Sequence, residues 1–473
     1  MNHLKRFLFL VLILLGGRAI AGGDNGYSIK FKIKGLPKDS NCVMGYYFSD
    51  KLYIQDTAKS DANGQLVFEG KTKLKGGMYQ LRLPKKKYLD FLMDQAQTFS
   101  IETDTADFVK YMKVKGCEET KLFYDYLGFL SAKQKEIEPL RKRAQKLKDT
   151  SDSTKLLSDQ MSKIDKEVKA YISSSIKQHS KTFFGQMLKA MSDPEVPEAP
   201  KLSNGRPDST FFFRYLRAHY FDTFDFTDER LLRTSVLFNK MKSFLDNMTY
   251  PIPDSISAAA DLIVEKARVN KEMFQYVVYW ITYTYESSSV LGMDAVFVHM
   301  AERYYLTGQA YWMDSTQLAG VSKKANTLKP LLIGKYAPNL ILKDSNLREV
   351  TLYDVKANYT ILYFWDYDCG HCKKYTPKLL EWYDKNKTKG IQVFAVGTET
   401  NADPWKKYVR ENKLDWINVY DPTYQTGFKR IYDITSTPIM YVLDENKKII
   451  ANRRLEVDQL DGLLEHYSNQ KKK

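Results

Sequence analysis

Two cysteines stand close together, between a predicted strand and a predicted helix. Cys369 and Cys372 bound the tetrapeptide Cys-Gly-His-Cys, which follows the apolar run 360–364 and precedes the helical pattern of 373–386. A thiolate is the species that attacks a disulfide, and the free N–H groups at the start of a helix stabilise negative charge. One turn of helix brings the second sulfur within reach of the first. We therefore expect Cys369 to be the exposed attacking nucleophile and Cys372 the more buried thiol that resolves a mixed disulfide.

The neighbouring residues decide which other chemistry competes with disulfide exchange. His371, between the two cysteines, can stabilise a thiolate when protonated, and Lys373 and Lys374 add positive potential. A zinc site needs about four ligands, usually with a second Cys/His pair, and the neighbouring sequence offers none. A c-type haem motif needs histidine directly after Cys372, where Lys373 stands. An inert structural disulfide is an alternative, but it does not explain the strand–CxxC–helix order. We predict no metal and no other cofactor.

The remaining cysteines are Cys42 and Cys117, out of four in the chain. Four cysteines allow three disulfide connectivities. Because Cys369 and Cys372 form a close pair, Cys42–Cys117 is the natural second disulfide if the compartment is oxidising. Two free buried thiols are an equal alternative.

The first residues have the pattern of an export signal. The basic pair Lys5-Arg6 precedes the unbroken apolar run 7–15, and an Ala-x-Ala cleavage pattern ends at Ala21. The apolar run is too short to cross a bilayer core of roughly 30 Å, so cleavage near Ala21 is favoured over an uncleaved membrane anchor. No later stretch reaches about 18 uncharged apolar residues, which predicts a mature chain without an integral membrane segment. We expect export to the periplasm or cell envelope.

The chain is basic. Its formal net charge is +15, and +12 remains once Lys5, Arg6 and Arg18 are removed with the leader. Basic proteins can bind nucleic acid. The lysines are nevertheless spread through segments of mixed sign such as 133–148, and an exported chain does not meet nucleic acid. The charge therefore predicts a solvated surface and no nucleic-acid partner.

Hydrophobic patterning divides the mature chain into three parts. From 22 to 117, short alternating runs such as Tyr27–Ile33, separated by turns, predict a β-sandwich-like domain. From 118 to 330 the pattern is all-helical, interrupted by the proline-rich loop 192–200. From 331 to 473, strands and helices alternate in the order β-α-β and then β-β-α. The predicted fold class is multidomain α+β, with residues 1–21 as the leader.

The last of these parts resembles the thioredoxin superfamily over about residues 335–470. Phe364-Trp365 precedes the two cysteines, and Thr437-Pro438 stands before the strand pattern 439–443, in the position of the superfamily's cis-proline loop. Ala337-Pro338 and Pro377 resemble the prolines found in the exported bacterial branch of this superfamily, which includes the TlpA/ResA-type reductases. The resemblance implies a thioredoxin-like α/β domain with Cys369 and Cys372 as the redox pair. It implies supporting roles for Trp365, Gly370, His371, Thr437 and Pro438, with the proline loop guiding the substrate backbone.

Two positions depart from this pattern. Thioredoxins carry a buried Asp two residues before the tryptophan of the Phe-Trp pair, where this chain has Tyr363. Exported reductases often carry Glu three residues after the second cysteine, where this chain has Tyr375. Those acids assist proton transfer at the resolving cysteine. The substitutions leave the proton path and the direction of electron flow open.

The residues before the thioredoxin-like part resemble N-terminal domains of unknown function in multidomain envelope proteins of Gram-negative bacteria. That resemblance implies no activity. His219 with Asp222, and His299 with Asp294, are alternative metal ligands, although histidines satisfied by packing and hydrogen bonds are favoured.

The function predicted from these features is thiol–disulfide exchange with protein thiols or disulfides of the cell envelope, supplied by an upstream redox donor or acceptor. A partner-binding or assembly protein with an auxiliary redox module is the alternative, because most of the chain lies outside the thioredoxin-like part. A peroxidase of the related peroxiredoxin type would need Thr or Ser three residues before Cys369, where Asp366 stands.

Overall fold

The computed structural model describes residues 26–146, 152–453 and 455–471. The predicted leader, residues 1–21, lies outside them. The chain forms two compact units. One comprises the described residues up to Asp193 together with Thr223–Phe238, and the other comprises Pro194–Asp222 together with the described residues from Asn239 onward. The domain boundaries drawn from the sequence at 117/118 and 330/331 stay predictions.

Eight strands form two four-stranded sheets at the start of the first unit. Their side chains alternate between buried and exposed positions, as in Tyr27–Lys34, because successive residues of a strand point to opposite faces. The sheet orders are β4-β1-β7-β8 and β3-β2-β5-β6, and their buried faces share one apolar core. The strands are β1 Tyr27–Lys34, β2 Asn41–Phe48, β3 Lys51–Lys59, β4 Gln65–Gly70, β5 Gly77–Arg82, β6 Tyr88–Met93, β7 Thr98–Asp104 and β8 Lys113–Lys115.

The possible disulfide between Cys42 and Cys117 is absent, and the structure agrees with the alternative, in which both thiols are free and buried. The Cys117 thiol donates to the carbonyl of Leu92 at 3.4 Å, and Leu92 pairs with Met78 across β6 and β5. Cys42 lies on β2, beside the other end of β5. At about 3.3 Å per residue, the distance along β5 between the levels of Cys42 and Leu92 is roughly 15 Å. A disulfide needs Cα atoms within about 7 Å, so this sheet register excludes the pairing.

Three helices follow the strands of the first unit. They are α1 Glu118–Ala144, α2 Asp152–Gln178 and α3 Phe183–Met191. The rings of Phe129 on α1 and Tyr171 on α2 stack with centroids 3.9 Å apart, so these consecutive helices pack together as a hairpin. Glu119 accepts hydrogen bonds from the N–H groups of Phe183 and Phe184 at 2.9 and 2.6 Å, which satisfies donors that α3 leaves unpaired at its start.

Six further helices follow before the last sheet. They are α4 Phe211–His219, α5 Val236–Asn247, α6 Pro253–Ala267, α7 Lys271–Glu286, α8 Asp294–Met300 and α9 Ser315–Leu328. Helices α6 and α7 coincide with strongly amphipathic stretches, and their apolar faces are buried. Asn270 begins α7 as its N-cap, since its side chain accepts the N–H of Met273 at 3.1 Å.

A seven-stranded mixed sheet dominates the C-terminal part, in the order β10-β9-β13-β12-β11-β14-β15. Strand β11 lies in the middle, parallel to β12 and antiparallel to β14. Its residues from Thr360 onward are buried, because helices or loops cover both faces of the sheet. The elements are β9 Ile341–Lys343, β10 Glu349–Thr351, β11 Tyr359–Trp365, α10 Gly370–Asn386, β12 Ile391–Gly397, α11 Ala402–Glu411, β13 Ile417–Tyr420, α12 Phe428–Ile431, β14 Ile439–Asp444, β15 Ile449–Arg453 and α13 Leu460–Lys471.

The architecture confirms the predicted fold class: a strand-rich N-terminal region, a helical central region and a C-terminal α/β domain. The short strands β9, β10 and β13 were not predicted from the sequence.

Candidate active site

The end of β11 and the start of α10 place the two cysteines. Strand β11 ends at Trp365, a short loop follows, and Cys369 is the N-cap of α10 with an extended backbone. The tetrapeptide therefore opens the helix directly after the central strand, as its spacing predicts. The free N–H groups of the first helical turn point toward the cap, and they favour a negative charge there.

Cys369 is partly exposed and its thiol donates to the carbonyl oxygen of Thr437 at 3.4 Å. Burial acts against the charged form of this thiol. Hydrogen bonds from the side chains of Thr437 and Cys372, and from the backbone N–H groups of Cys372 and His371, outweigh that cost and lower the pKa of Cys369. The position thus has the two properties that disulfide attack requires, which are access to solvent and a stabilised thiolate.

Cys372 lies one turn into α10 and its side chain is 1% exposed. The backbone N–H of Asp366 donates to its sulfur at 3.5 Å. Burial raises the pKa of Cys372 to about 12, and the hydrogen bonds from Asp366 and Thr437 do not offset it. The two sulfurs of one motif therefore have opposite reactivities.

Thr437 and Pro438 reach this site from the start of β14, the strand next to β11. Their peptide bond is cis, and they directly precede β14. Because Phe364 pairs with Ile439 across β11 and β14, the loop lies beside the end of β11. The structure thus brings together residues from two parts of the chain that are 68 positions apart.

The supporting residues near the pair differ in exposure. His371 is exposed on the first turn of α10, and the charge of Lys373 is balanced by Asp368 at 2.9 Å. Trp365 is fully buried and lies against the ring of Tyr408, with centroids 5.4 Å apart. Its indole N–H has no hydrogen-bond partner among the residues that the structure describes.

Tyr363, at the position of the expected buried acid, has a partner that the sequence did not reveal. Its hydroxyl shares a hydrogen bond of 2.9 Å with Thr376, which lies one turn after Cys372 on α10. Its ring stacks on that of Tyr375, with centroids 5.8 Å apart. The spacing of Cys372 and Thr376, which places both on one helix face, was the signal that could have found it.

Each histidine that was considered as a metal ligand is hydrogen-bonded to one carboxylate instead. His219 bonds to Asp222 at 2.6 Å, and His299 bonds to Asp261 at 2.9 Å, not to Asp294. Asp294 instead accepts from Asn452. Within the described ranges, no three or more His, Cys, Asp or Glu side chains gather in a metal-binding arrangement.

Three family models match consecutive parts of the chain. Two are described as domains of unknown function, DUF4369 over residues 27–123 and DUF5106 over residues 150–328. The third is the AhpC/TSA family over residues 333–452, which include both cysteines and the Thr437–Pro438 loop. The C-terminal domain is a thioredoxin-like thiol–disulfide oxidoreductase domain.

Curated relatives agree with that assignment. A thiol–disulfide oxidoreductase ResA of Bacillus cereus is 29% identical over 137 residues, which are 28% of this chain and 77% of the relative. The protein of the same name from Bacillus subtilis (strain 168) is 26% identical over 117 residues, covering 25% of this chain and 64% of the relative. The similarity to both is confined to about a quarter of the chain, and the domains before it remain without an assigned activity.

Solved structures also resemble parts of the chain. A domain of a possible thiol-disulfide isomerase from Cytophaga hutchinsonii is 49% identical, over 30% of this chain and 97% of that one, with a TM-score of 0.29. A thioredoxin-like protein from Bacteroides caccae is 18% identical, over 58% of this chain and 99% of that one, with a TM-score of 0.45. None of the helices in the described ranges is both long enough and apolar enough to span a membrane.

Proposed function

We propose that this chain is an exported oxidoreductase that exchanges disulfides with proteins of the cell envelope through Cys369 and Cys372. The observation that supports this most is the contrast between the two thiols. Cys369 is accessible with a lowered pKa, and Cys372 is buried with a raised pKa, within one turn of the same helix. An inert structural disulfide would not require one accessible thiol with a lowered pKa and one buried thiol with a raised pKa.

The mechanism follows from this placement. The Cys369 thiolate attacks a substrate disulfide, so that one substrate sulfur leaves as a thiol and the other is joined to Cys369. Cys372 then attacks the sulfur of Cys369, which releases the reduced substrate and leaves a Cys369–Cys372 disulfide. Thr437 and Pro438, beside Cys369, guide the substrate backbone. An upstream donor or acceptor restores the starting redox state.

Export is part of the proposal and rests on the leader pattern that ends at Ala21. We propose the periplasm as the location, with residues 22–117 and 118–330 as separate domains ahead of the thioredoxin-like domain at 331–473. Fractionation of cells that produce the full chain, with N-terminal sequencing of the mature protein, tests this. A protein that keeps residues 1–21 and stays in the cytoplasm would contradict it.

Activity is tested by insulin reduction and by the redox equilibrium of the purified mature protein with glutathione. Cys369→Ser is expected to abolish insulin reduction, because no other described thiol is both accessible and activated. Cys42→Ala is the matched control, since Cys42 is a buried free thiol on β2. Equal activity of the wild type and Cys369→Ser would refute the proposed function.

The substrates are identified by trapping. Cys372→Ser leaves Cys369 able to attack but removes the resolving thiol, so substrate proteins stay bound as mixed disulfides. Discrete envelope proteins that are released by reductant, and that are missing from the Cys369→Ser control, are the expected result. The same partners bound without a disulfide would favour a binding protein instead.

A further inference from the structure

The buried side of the redox centre is built from hydroxyl groups and aromatic rings. Tyr363 on β11 is fully buried and Thr376 on α10 is 1% exposed, and the two share a hydrogen bond of 2.9 Å. Thr376 lies one helical turn after Cys372, on the same face of α10. Cys372, Tyr363 and Trp365 belong to one buried cluster. After burial, the charge of Cys372 is among the causes that raise the pKa of Tyr363, so the hydroxyl pair lies near the sulfur of Cys372.

The pair has no outlet to solvent. The ring of Tyr363 is stacked between Tyr375, with centroids 5.8 Å apart, and Trp365, with centroids 6.5 Å apart. The hydroxyl of Tyr375 donates to the carbonyl of Leu455 at 2.7 Å and is not available to Tyr363. Burial also raises the pKa of Tyr363 well above its ordinary value, so that its hydroxyl stays protonated. A closed pair of neutral hydroxyls cannot accept a proton and pass it on.

The carboxylates near the centre are turned elsewhere. An oxygen of Asp366 accepts the N–H of Asp368 at 2.8 Å within their own loop. Burial, followed by the charges of Glu456 and Asp458, raises the pKa of Tyr375, whereas neither acid is among the groups that shift the pKa of Tyr363 or Cys372. The titratable groups around Cys372 come from several elements. They are Asp366, Tyr367, Asp368 and Cys369 before α10, His371, Lys373 and Tyr375 on α10, Tyr363 on β11, Glu399 after β12, Tyr408 on α11, and Glu456 and Asp458 before α13.

We propose that Tyr363 and Thr376 close the buried side of the centre, so that Cys372 reacts without a general base and mixed disulfides persist until a second cysteine of the substrate resolves them. The preferred substrates are then proteins with several cysteines, and the outcome is rearrangement of their disulfides more than net reduction. This inference rests on the proposed function, because it requires that Cys369 forms mixed disulfides.

Two routes leave the mixed disulfide. In the first, Cys372 loses its proton to solvent and its sulfur attacks Cys369. The Cys369–Cys372 bond forms, the bond to the substrate breaks, and the substrate sulfur leaves with the electron pair and takes up a proton. In the second, another substrate thiolate attacks the substrate sulfur. A new substrate disulfide forms, the bond to Cys369 breaks, and Cys369 leaves as a thiolate. The first route reduces the substrate by two electrons, and the second is redox-neutral.

The relative rates follow from the fraction of each thiol that is ionised. In the reduced protein at pH 7, Cys372 with its pKa of about 12 carries roughly 3000-fold less thiolate than a substrate thiol with an ordinary pKa of about 8.5. Burial is the largest cause of that pKa, and the smaller contribution of the Cys369 thiol is lost in the mixed disulfide, so this factor is an upper bound. The more basic thiolate is the better nucleophile. With a Brønsted coefficient of about 0.45, the Cys372 thiolate reacts roughly 40-fold faster than the substrate thiolate, which offsets part of the difference in ionisation. With comparable geometry, resolution by Cys372 is then about a hundredfold slower than resolution by a tethered substrate thiol.

The test follows the mixed disulfide directly. The reduced mature chain is mixed with a one-cysteine peptide linked to glutathione or with a two-cysteine peptide that holds an intramolecular disulfide. Samples are quenched in acid between pH 6 and 9 and analysed by mass spectrometry. With the first peptide we expect the mixed disulfide to accumulate and its decay to accelerate about tenfold per pH unit without levelling. With the second, we expect decay about a hundredfold faster at pH 7.

Two variants distinguish a missing base from a structural effect. Tyr375→Glu places a carboxylate at a half-buried position beside Tyr363, and we expect at least tenfold faster resolution at pH 7 with a plateau above the pKa of that acid. Tyr375→Phe keeps the stacked ring and should keep the wild-type slope. If Tyr375→Glu does not fold, the wild-type profile still decides the matter.

A wild-type rate that is level above about pH 7, or equal decay with the two peptides, would overturn the inference and leave the proposed function intact. If the one-cysteine peptide is reduced without an accumulated mixed disulfide, the inference fails and the proposed function stands; if the wild type leaves the disulfides of both peptides unchanged, the proposed function itself fails.

Discussion

The opposite environments of the two thiols predict selective alkylation of one of them. When the reduced mature protein is treated with limiting iodoacetamide at pH 7, we expect one adduct, on Cys369. Alkylation requires the thiolate, and only Cys369 is both accessible and stabilised as a thiolate. Cys42 and Cys117 are buried, and burial raises the pKa of each.

The magnitude can be worked from these positions. With a pKa of about 12, roughly one Cys372 thiol in 100,000 is ionised at pH 7. A thiol with a pKa of 9.0 is ionised at about 1% at pH 7, and Cys369 exceeds that fraction because its pKa is lowered from that value. The ratio of thiolate is therefore at least about 1000 in favour of Cys369. Burial of Cys372 adds a steric barrier to the same preference.

The assay is peptide mapping of the alkylated protein across pH 5–9. The rate at Cys369 should rise with pH and level off at a lower pH than the rate of an ordinary cysteine, since its pKa is lowered. The rate at Cys372 should keep rising throughout. The Cys369→Ser variant is the control, and it should show almost no adduct at pH 7. Equal labelling of the two cysteines at pH 7 would refute the assignment of their roles.

Three further predictions concern the scaffold. The protein with an oxidised redox pair, unfolded without reductant, should still bind an alkylating agent at Cys42 and Cys117, because the sheet register keeps them apart; loss of these adducts would show that they pair. Glu119→Ala should cost about 3 kcal/mol locally by leaving two buried N–H groups unpaired, and hydrogen exchange at the start of α3 should accelerate roughly a hundredfold. Gly397→Ala should lower the thermal stability of the second unit by about 1–3 kcal/mol, because its Cβ would lie 2.7 Å from Nε1 of a buried tryptophan. Gly462→Ala meets nothing within 4 Å and should be neutral or stabilising, so equal effects of the two glycine variants would contradict the packing argument.

The order of elements around the site could be predicted because it depends on local patterns. Each of these elements has a recognisable pattern within a few residues of sequence. They are the buried run before Cys369, the helix after it and the proline before β14. Short strands such as Ile417–Tyr420 leave almost none, since four residues are too few to distinguish an alternating pattern from a loop. They form because neighbouring strands offer them hydrogen bonds, which is a property of the whole sheet.

Contacts between residues far apart in the chain could not be predicted from the sequence, for the same reason. The free state of Cys42 depends on the register of β2 against β5, and the pairing of Tyr363 with Thr376 depends on how α10 lies on β11. A cysteine count suggests a pairing, but only a register gives the distance between the thiols. The sequence showed which acids were missing near Cys372, and the structure shows what replaces them.

Those two replacements are one coupled feature. Tyr363 and Tyr375 stack on each other, and each has its own hydroxyl partner. An acid at position 363 alone would be buried against an aromatic ring with Thr376 as its single partner, and an ionised carboxylate in that setting is costly. An acid at position 375 alone would remove the ring that covers Tyr363. Tyr363 therefore disfavours an acid at position 375, and Tyr375 disfavours an acid at position 363. Together the two tyrosines stabilise a redox centre without a buried carboxylate. The slow resolution that we propose at Cys372 is then a consequence of how α10 packs on β11.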